Sequence, residues 1–261
     1  MRHSTVHPLS PVRRALPCAL AGFGCLLTGA GARAEPVAAV VELFTSQGCT
    51  ACRAADPVMR DLARKPGLIA LTLPVTYWDY LGWRDTLGLH VLNERQRAYA
   101  RARGARQVVT PQAVVDGSLS AVGSNRQAVE RLVQDSSRTA PLPVPVSAEV
   151  KGDQIIVEVG ARPAGKPEPK PESKDEVWLV PVLKRRDVKI EGGESGGRVA
   201  SYVNVVRGLV RIGPWTGQPA RFEVPVSAAA VPDADGWVVL LQHGREGRLG
   251  RILGAAKGPG L

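Results

Sequence analysis

The chain has 261 residues, a formal net charge of +10, 44% hydrophobic residues and 22% charged residues. That length suits one large domain or two modest ones with buried cores, and the composition is that of an ordinary globular protein rather than a disordered one. The basic residues are scattered instead of gathered with aromatics, and no nucleic-acid module signature occurs, so a nucleic-acid partner is not expected.

The first 34 residues read as a signal peptide. Arg2, Arg13 and Arg14 form a basic start, Ala15–Thr28 is an apolar and Gly-containing run, and Ala32-Arg33-Ala34 supplies the small residues of a cleavage site. The run is too short to span a bilayer, and no later stretch approaches that length without charges, so no transmembrane segment is expected in the mature chain. Arg13-Arg14 raises twin-arginine export, but Val12 and Pro17 fit that signal poorly. Gly22-Phe23 is a weak match to the residues ahead of a lipoprotein cysteine at Cys25. Cleavage near Ala34 removes four arginines and no acid, lowering the charge from +10 to +6. The expected location is the periplasm or the medium.

From 35 to 140 the pattern alternates between strands and helices. Val37–Phe44 is a β-branched-rich strand, Ala54–Lys65 has helical spacing with Pro57 early in it, and Leu68–Pro74 is a second strand. Asn93–Arg103 reads as a helix stopped by Gly104. Gln107–Val109 and Gln112–Val115 read as short strands flanking Pro111, Asp116-Gly117 as a hairpin turn into Ser118–Val122, and Ser124 or Asn125 as the cap of a helix to Gln134. From 141 to 261 the character changes to short strands at regular spacing: Val144–Val150, Gln154–Val159, Val177–Leu183, Val199–Val210, Ala220–Val226 and Trp237–Gln242. They point to a mainly β, sandwich-like domain, interrupted by a flexible Pro/Lys/Glu-rich loop at 162–176.

Cysteine usage is the most informative feature. Cys18 and Cys25 leave with the signal peptide, so the mature chain keeps only Cys49 and Cys52, set between a buried strand and a helix. A helix N-terminus favours a thiolate, which makes Cys49 the expected nucleophile and Cys52 the resolving thiol, with Arg53 a nearby charge. A structural bridge at this spacing closes too short a loop to stabilise much, though a local staple is the alternative. Thr110-Pro111 between two short strands is a plausible cis bond; in thioredoxin-like folds such a proline lies beside the disulfide and exposes a backbone edge to an extended substrate, a role that would fall here to Thr110.

Glu42 interrupts the first strand and either relays the proton of Cys52 or forms a salt bridge. Tyr77, Trp78, Asp79 and Trp83 lie in a segment holding four of the nine Tyr and Trp residues; they either wall a substrate groove, with Asp79 or Arg84 orienting the substrate, or pack the loop. His90 and His243 read as local hydrogen-bonding residues. With Cys49 and Cys52 they lack zinc-ligand spacing, so no metal and no cofactor are expected.

Val41-Glu42-Leu43-Phe44-Thr45-Ser46-Gln47-Gly48-Cys49, Tyr77-Trp78-Asp79-Tyr80-Leu81-Gly82-Trp83, Glu94-Arg95-Gln96, Thr110-Pro111-Gln112, Asn204-Val205-Val206-Arg207 and Ile252-Leu253-Gly254-Ala255-Ala256 resemble, in that order, the secreted bacterial family known as domain of unknown function 1223. The resemblance implies an α/β thioredoxin-like N-terminal domain followed by the mainly β one. It also implies that Cys49 matches a nucleophile, Cys52 a resolving cysteine and Pro111 a cis-proline. Arg53-Ala54 depart from the prolines that family members often carry there. The expected activity is thiol-disulfide exchange on a protein or small-molecule thiol or disulfide, to which an envelope redox partner could be coupled. The second reading is a binding protein whose cysteines are an inert staple.

Overall fold

β1 (Ala39–Thr45) is buried along its whole length, which explains why its sequence is an apolar run broken by one acid. In this computed structural model the described residues are 1, 36–139, 141–165, 173–245 and 247–261. The expected signal peptide, apart from Met1, and its expected cleavage site lie outside them. β1 pairs in parallel with β2 (Leu68–Pro74) and antiparallel with β3 (Gln112–Val115), which turns into β4 (Leu119–Val122). The turn residues Asp116 and Gly117 have φ of 46° and 70°, the left-handed pair that a tight hairpin needs. A 3₁₀ turn (Thr50–Ala54) and α1 (Asp56–Leu62) join β1 to β2, α2 (His90–Ala102) precedes β3, and α3 (Arg126–Thr139) follows β4. The Ala128 N–H donates to Asn125 Oδ1 at 3.0 Å, capping the start of α3.

The expected α/β thioredoxin-like N-terminal domain followed by a mainly β, sandwich-like domain is overturned by the sheet. β2 pairs on its other edge with β8 (Arg198–Val206) through Thr72 and Val205; β8 pairs with β7 (Ser173–Ile190), β7 with β11 (Gly236–Arg245), and β11 with β12 (Arg248–Lys257). The outcome is one nine-stranded mixed sheet in the order β12-β11-β7-β8-β2-β1-β3-β4, with β9 (Val210–Trp215) also on β7. The chain is therefore mostly β, with three α-helices among the described residues, and Ala34–Leu261 clusters as one compact unit. The physical reason is that alternation reports which face of a strand is buried, not which strand lies beside it. The open edge of β2 needs a neighbour, and the C-terminal strands supply it.

β5 (Val146–Lys151), β6 (Gln154–Val159) and β10 (Ala220–Pro225) form a separate three-stranded sheet. Its Ile155, Val157 and Val224 share a core with Leu179, Val239 and Leu241 of the large sheet. Along β1 the pleat divides the rest. Val40 and Phe44 join Leu92 and Tyr99 of α2 in one core, while Ala39, Val41 and Leu43 join Val58, Met59 and Leu62 of α1 and Val129 of α3 in another.

Several local expectations shift. The helix over 54–65 is replaced by the 3₁₀ turn and the shorter α1, with Pro57 in its first turn, where its missing N–H costs nothing. Residues 107–109 form no strand, 199–210 divides between β8 and β9, and β12 was not anticipated. Of the loop expected at 162–176, residues 166–172 lie outside the described residues, and Asp175 and Glu176 already belong to β7. No helix among the described residues is long and apolar enough to cross a membrane.

Candidate functional site

The chain leaves β1 through Ser46-Gln47-Gly48 and reaches Cys49, which is disulfide-bonded to Cys52 with Cα atoms 5.4 Å apart. Cys49 is 5% exposed and Cys52 1%. Gly48 is required by close approach: a Cβ there would stand 3.1 Å from the Trp78 carbonyl oxygen. Thr110 and Pro111 come to the same place, with the Thr110 carbonyl oxygen 3.8 Å from Cys49 Sγ and the Thr110-Pro111 bond cis. Cys49 precedes a five-residue 3₁₀ turn rather than a regular helix, and α1 begins only at Asp56. The helix-dipole support expected for its thiolate is correspondingly small, because that effect is confined to a helix's own terminal turn.

The aromatic segment is anchored around the disulfide by its polar atoms. Trp78 Nε1 donates to Thr110 Oγ1 at 2.7 Å, Trp83 Nε1 to Gln47 Oε1 at 2.8 Å, and the Tyr77 hydroxyl to Gln96 Oε1 at 3.0 Å. Burial pushes the Tyr77 hydroxyl up to about 12, against its hydrogen bonds with Gln96 and Thr110, so it stays a neutral donor. Asp79 accepts from the Asp85 N–H at 3.0 Å, and Asp85 in turn accepts from the N–H groups of Gln47 (2.8 Å) and Leu87 (2.9 Å). Tyr77, Trp78, Asp79 and Trp83 thus hold the backbone that carries the cysteines, and Tyr80, exposed, stacks on Trp78. Arg84 is exposed.

The Glu191–Gly197 loop, which the sequence left without a role, also arrives here. Gly192 lies so close to Gly82 that a Cβ would meet its carbonyl oxygen at 2.9 Å, and Thr50 Oγ1 donates to Glu194 Oε2 at 2.9 Å.

Glu42 is not brought to the cysteines. It shares the α2 face of β1 with Val40 and Phe44, whereas Cys52 lies on the segment running into α1 on the other face. Arg95 Nε donates to Glu42 Oε1 at 2.6 Å, and the Tyr99 hydroxyl donates to Oε2. Arg95 Nη2 also reaches Gln242 Oε1 of β11 at 2.9 Å, and Gln242 Nε2 donates to the Tyr99 oxygen at 2.8 Å. Burial works against the Arg95 charge, but Glu42 more than offsets it and raises its pKa; burial raises that of Tyr99. The network reads as an inter-element tie.

Asp56 and further residues that the sequence did not single out gather at the start of α1. Asp56 is buried, with Oδ2 3.6 Å from Arg198 Nη1 of β8. Burial pushes its carboxyl up to about 6, opposed by Arg198 and Arg60. Burial does the same to Asp85, again to about 6, against its backbone donors. Burial also raises the Tyr202 hydroxyl, with Asp56 and Asp85 adding to the rise. Asp56 Oδ1, Arg198 Nε and Nη2, the Tyr202 hydroxyl and Ser195 Oγ are buried with no hydrogen-bond partner in the protein. The one sequence signal available here was an acid at the start of the helix that follows the cysteines.

Among the described residues no three His, Cys, Asp or Glu side chains converge as a metal site. His90 faces Glu94 on α2, and His243 Nδ1 lies 2.6 Å from Asp175 Oδ1, while Arg162 engages Oδ2 of the same carboxylate.

A family model described as a protein of unknown function (DUF1223) matches residues 40–242. A crystal structure of a protein from Agrobacterium tumefaciens is 32% identical, covers 88% of this chain and 97% of its own, and has a TM-score of 0.75. HBP35 of Porphyromonas gingivalis is 10% identical, with coverages of 86% and 75% and a TM-score of 0.54, a likeness of fold alone. No curated protein matches.

Proposed function

The chain belongs to the DUF1223 family, and from that premise we propose that it is an exported thiol-disulfide exchange protein acting through Cys49 and Cys52. The observation that carries the reading is the disulfide itself: it joins residues only three apart, too short a loop to constrain the unfolded chain much, yet segments from across the sequence gather around it. Cys49 is the sulfur that an incoming thiolate attacks, since it is the more exposed and faces the Thr110 carbonyl. Cys52 leaves and later closes the bond. The substrate is a protein or small-molecule dithiol or disulfide, and a recycling partner in the envelope is compatible with this chemistry. The basic and apolar start with Ala32-Arg33-Ala34 supports export to the periplasm or medium, where disulfides persist.

The test is equilibration of the protein with glutathione buffers followed by assay on a dithiol and a disulfide substrate. The pair is expected to change oxidation state within the glutathione range, and Cys49→Ser to abolish exchange. A pair that stays oxidised in strongly reducing buffer and exchanges with neither substrate overturns the proposal. One observation favours the second reading, a binding protein with a local staple: both cysteines are nearly buried. Full biological activity of Cys49→Ser would select it.

A further inference from the structure

We propose that the open cleft between the end of α2 and residues 105–108 binds an acidic segment of a protein substrate, so that Cys49 and Cys52 exchange with cysteines flanked by Asp or Glu. The proposal rests on the exchange reading above and adds to it the chemical class of the substrate.

The first ground is charge. The cleft has a volume of about 420 Å³, within the range of sites that take a small ligand or a few side chains. Its wall holds Arg97, Arg101 and Arg106 and no acid. Arg97 pairs with Glu94 at 2.5 Å, but Arg101 meets only the Gly247 carbonyl oxygen, at 2.8 Å. Arg106 is exposed and has no hydrogen bond or ion pair among the described residues. Elsewhere on the surface Arg126, Arg138, Arg186 and Arg211 each meet a carboxylate. A cation in the last turn of a helix is ordinarily explained by the helix dipole, and Arg101 fits that account. Arg106 does not, since it lies beyond Ala102, where α2 ends.

The second ground is continuity with the disulfide. Val108, in the wall of the cleft, is followed two positions later by Thr110, whose carbonyl oxygen lies 3.8 Å from Cys49 Sγ. Two residues of chain span at most about 7 Å. About five residues of an extended peptide therefore reach from the cleft to Cys49. Along that path no backbone-to-backbone hydrogen bond ties residues 106–109 to the rest of the described chain, although Gln96 Nε2 holds the Val109 carbonyl at 2.8 Å. Val109 is exposed, as is Tyr80, which stacks on Trp78 beside Thr110. A peptide laid along residues 106–110 thus meets unpaired backbone groups and an apolar side chain before it meets the disulfide.

The spacing of the cations favours a chain over a small anion. Arg97 and Arg101 stand on one face of α2, about 6 Å apart along its axis. Side chains that point the same way from an extended peptide are two residues apart, about 7 Å. Alternate acids of such a peptide match the two arginines, and Arg106 continues the row past the helix. A single small anion is covered by one guanidinium and leaves the others unused. A cleft of one sign also raises the rate of encounter with an oppositely charged partner. The exchange itself is unchanged: a peptide dithiol becomes a disulfide, and the two electrons and two hydrogens it loses are those that Cys49 and Cys52 gain as their bond opens.

The experiment uses the full oxidised protein and peptides that carry the same pair of cysteines flanked by Asp and Glu, by Ser and Gln, or by Lys. Oxidation of each peptide dithiol is followed at low and at moderate salt. The acidic peptide should react at least about 10-fold faster than the neutral one at low salt, and the advantage should shrink as salt screens it. Arg106→Glu should abolish the preference and speed the Lys peptide, whereas Arg131→Gln, which removes an exposed cation from α3, should keep it. Equal wild-type rates on the acidic and neutral peptides overturn the proposal, as does a preference that survives Arg106→Glu or is lost equally in Arg131→Gln. Binding is read without exchange, by titrating the protein with the acidic peptide carrying Ser in place of Cys. Arg106→Glu should weaken it several-fold, and an unchanged affinity overturns the proposal. Vesicles containing an anionic phospholipid should bind wild type and Arg106→Glu alike; a loss seen with vesicles and not with peptides assigns the cleft to a membrane surface and overturns it too. A wild type that binds the acidic peptide and oxidises none of the three counts against the proposed function and leaves the cleft assignment standing.

Discussion

Two buried polar clusters contain an acid and an arginine each, and they differ in how completely they are paired. Under α2, Glu42, Arg95, Tyr99 and Gln242 form a closed set in which both carboxylate oxygens accept from named donors. At the start of α1, Asp56 meets Arg198 only at 3.6 Å, and one oxygen of Asp56, two nitrogens of Arg198 and the Tyr202 hydroxyl have no partner. A closed network ties elements together; an open one keeps groups whose charge can change. The first joins β1, α2 and β11 across the long sheet, and the second lies one turn beyond Cys52.

The largest expected effect comes from breaking the closed cluster. Arg95→Ala leaves Glu42 buried without its cation, and breaking such a pair on one side costs about 3–5 kcal/mol. Urea unfolding should show the loss as a lower midpoint. A loss under about 1 kcal/mol would mean that Tyr99 alone satisfies Glu42, and the contrast between the clusters would shrink.

The next effect is a pH dependence to which Asp56 of the open cluster contributes, alongside the carboxyls of Asp85 and Asp116 that burial also raises. The folded-state pKa of Asp56 is raised from 3.8 to about 6. Between those values the folded protein binds more protons than the unfolded one, so stability is fully present below about pH 4 and falls as pH rises through about 6. Roughly two units correspond to about 3 kcal/mol. Asp85 contributes with the same sign. Asp56→Asn should remove the Asp56 part of this slope and leave that of Asp85, as read from unfolding midpoints at about pH 4 and pH 7. An unchanged slope would show that Asp56 is not desolvated in solution.

The sequence made one of these regions visible and hid the other for a physical reason. The strand before Cys49, the aromatic segment after β2 and the Thr110-Pro111 approach are all local or carried by distinctive residue types, and the structure assembles them around the disulfide. Glu42 stood out because an acid in an apolar strand is conspicuous, but the strand pattern does not say which face α1 covers, and the structure puts Glu42 on the face away from Val41, Leu43 and α1. Asp56 was inconspicuous among the polar residues opening a helix. Its partners Arg198 and Tyr202 sit on β8, and nothing in a period-2 pattern says that β8 will lie beside β2. The same gap concealed the continuous sheet.

A smaller effect probes how the visible region is held. Trp83→Phe keeps an aromatic ring, though a smaller one, and deletes the donor to Gln47 Oε1, whose residue is 1% exposed. The Thr86 N–H, at 3.3 Å from the same oxygen, compensates in part. A loss of about 1 kcal/mol is expected from thermal or urea unfolding. A loss several times larger would place the Gln47 turn among the closed networks.

The smallest effect is at Thr50. Its hydroxyl donates to Glu194 at 2.9 Å and ties the Glu191–Gly197 loop to the residue after Cys49. The bond spans much of the chain, which would suggest a strong tether, but both side chains are exposed, and water replaces either partner when it is lost. The loop has a second hold, the backbone approach of Gly192 and Gly193 to Gly82, Leu81 and Trp83, which Thr50→Ala leaves intact. Stability should therefore change by less than about 0.5 kcal/mol, as exposed substitutions away from special features do. A larger drop in the unfolding midpoint would mean that the loop docks mainly through Thr50. The covering of the disulfide would then depend on one surface hydrogen bond rather than on glycine-to-backbone packing.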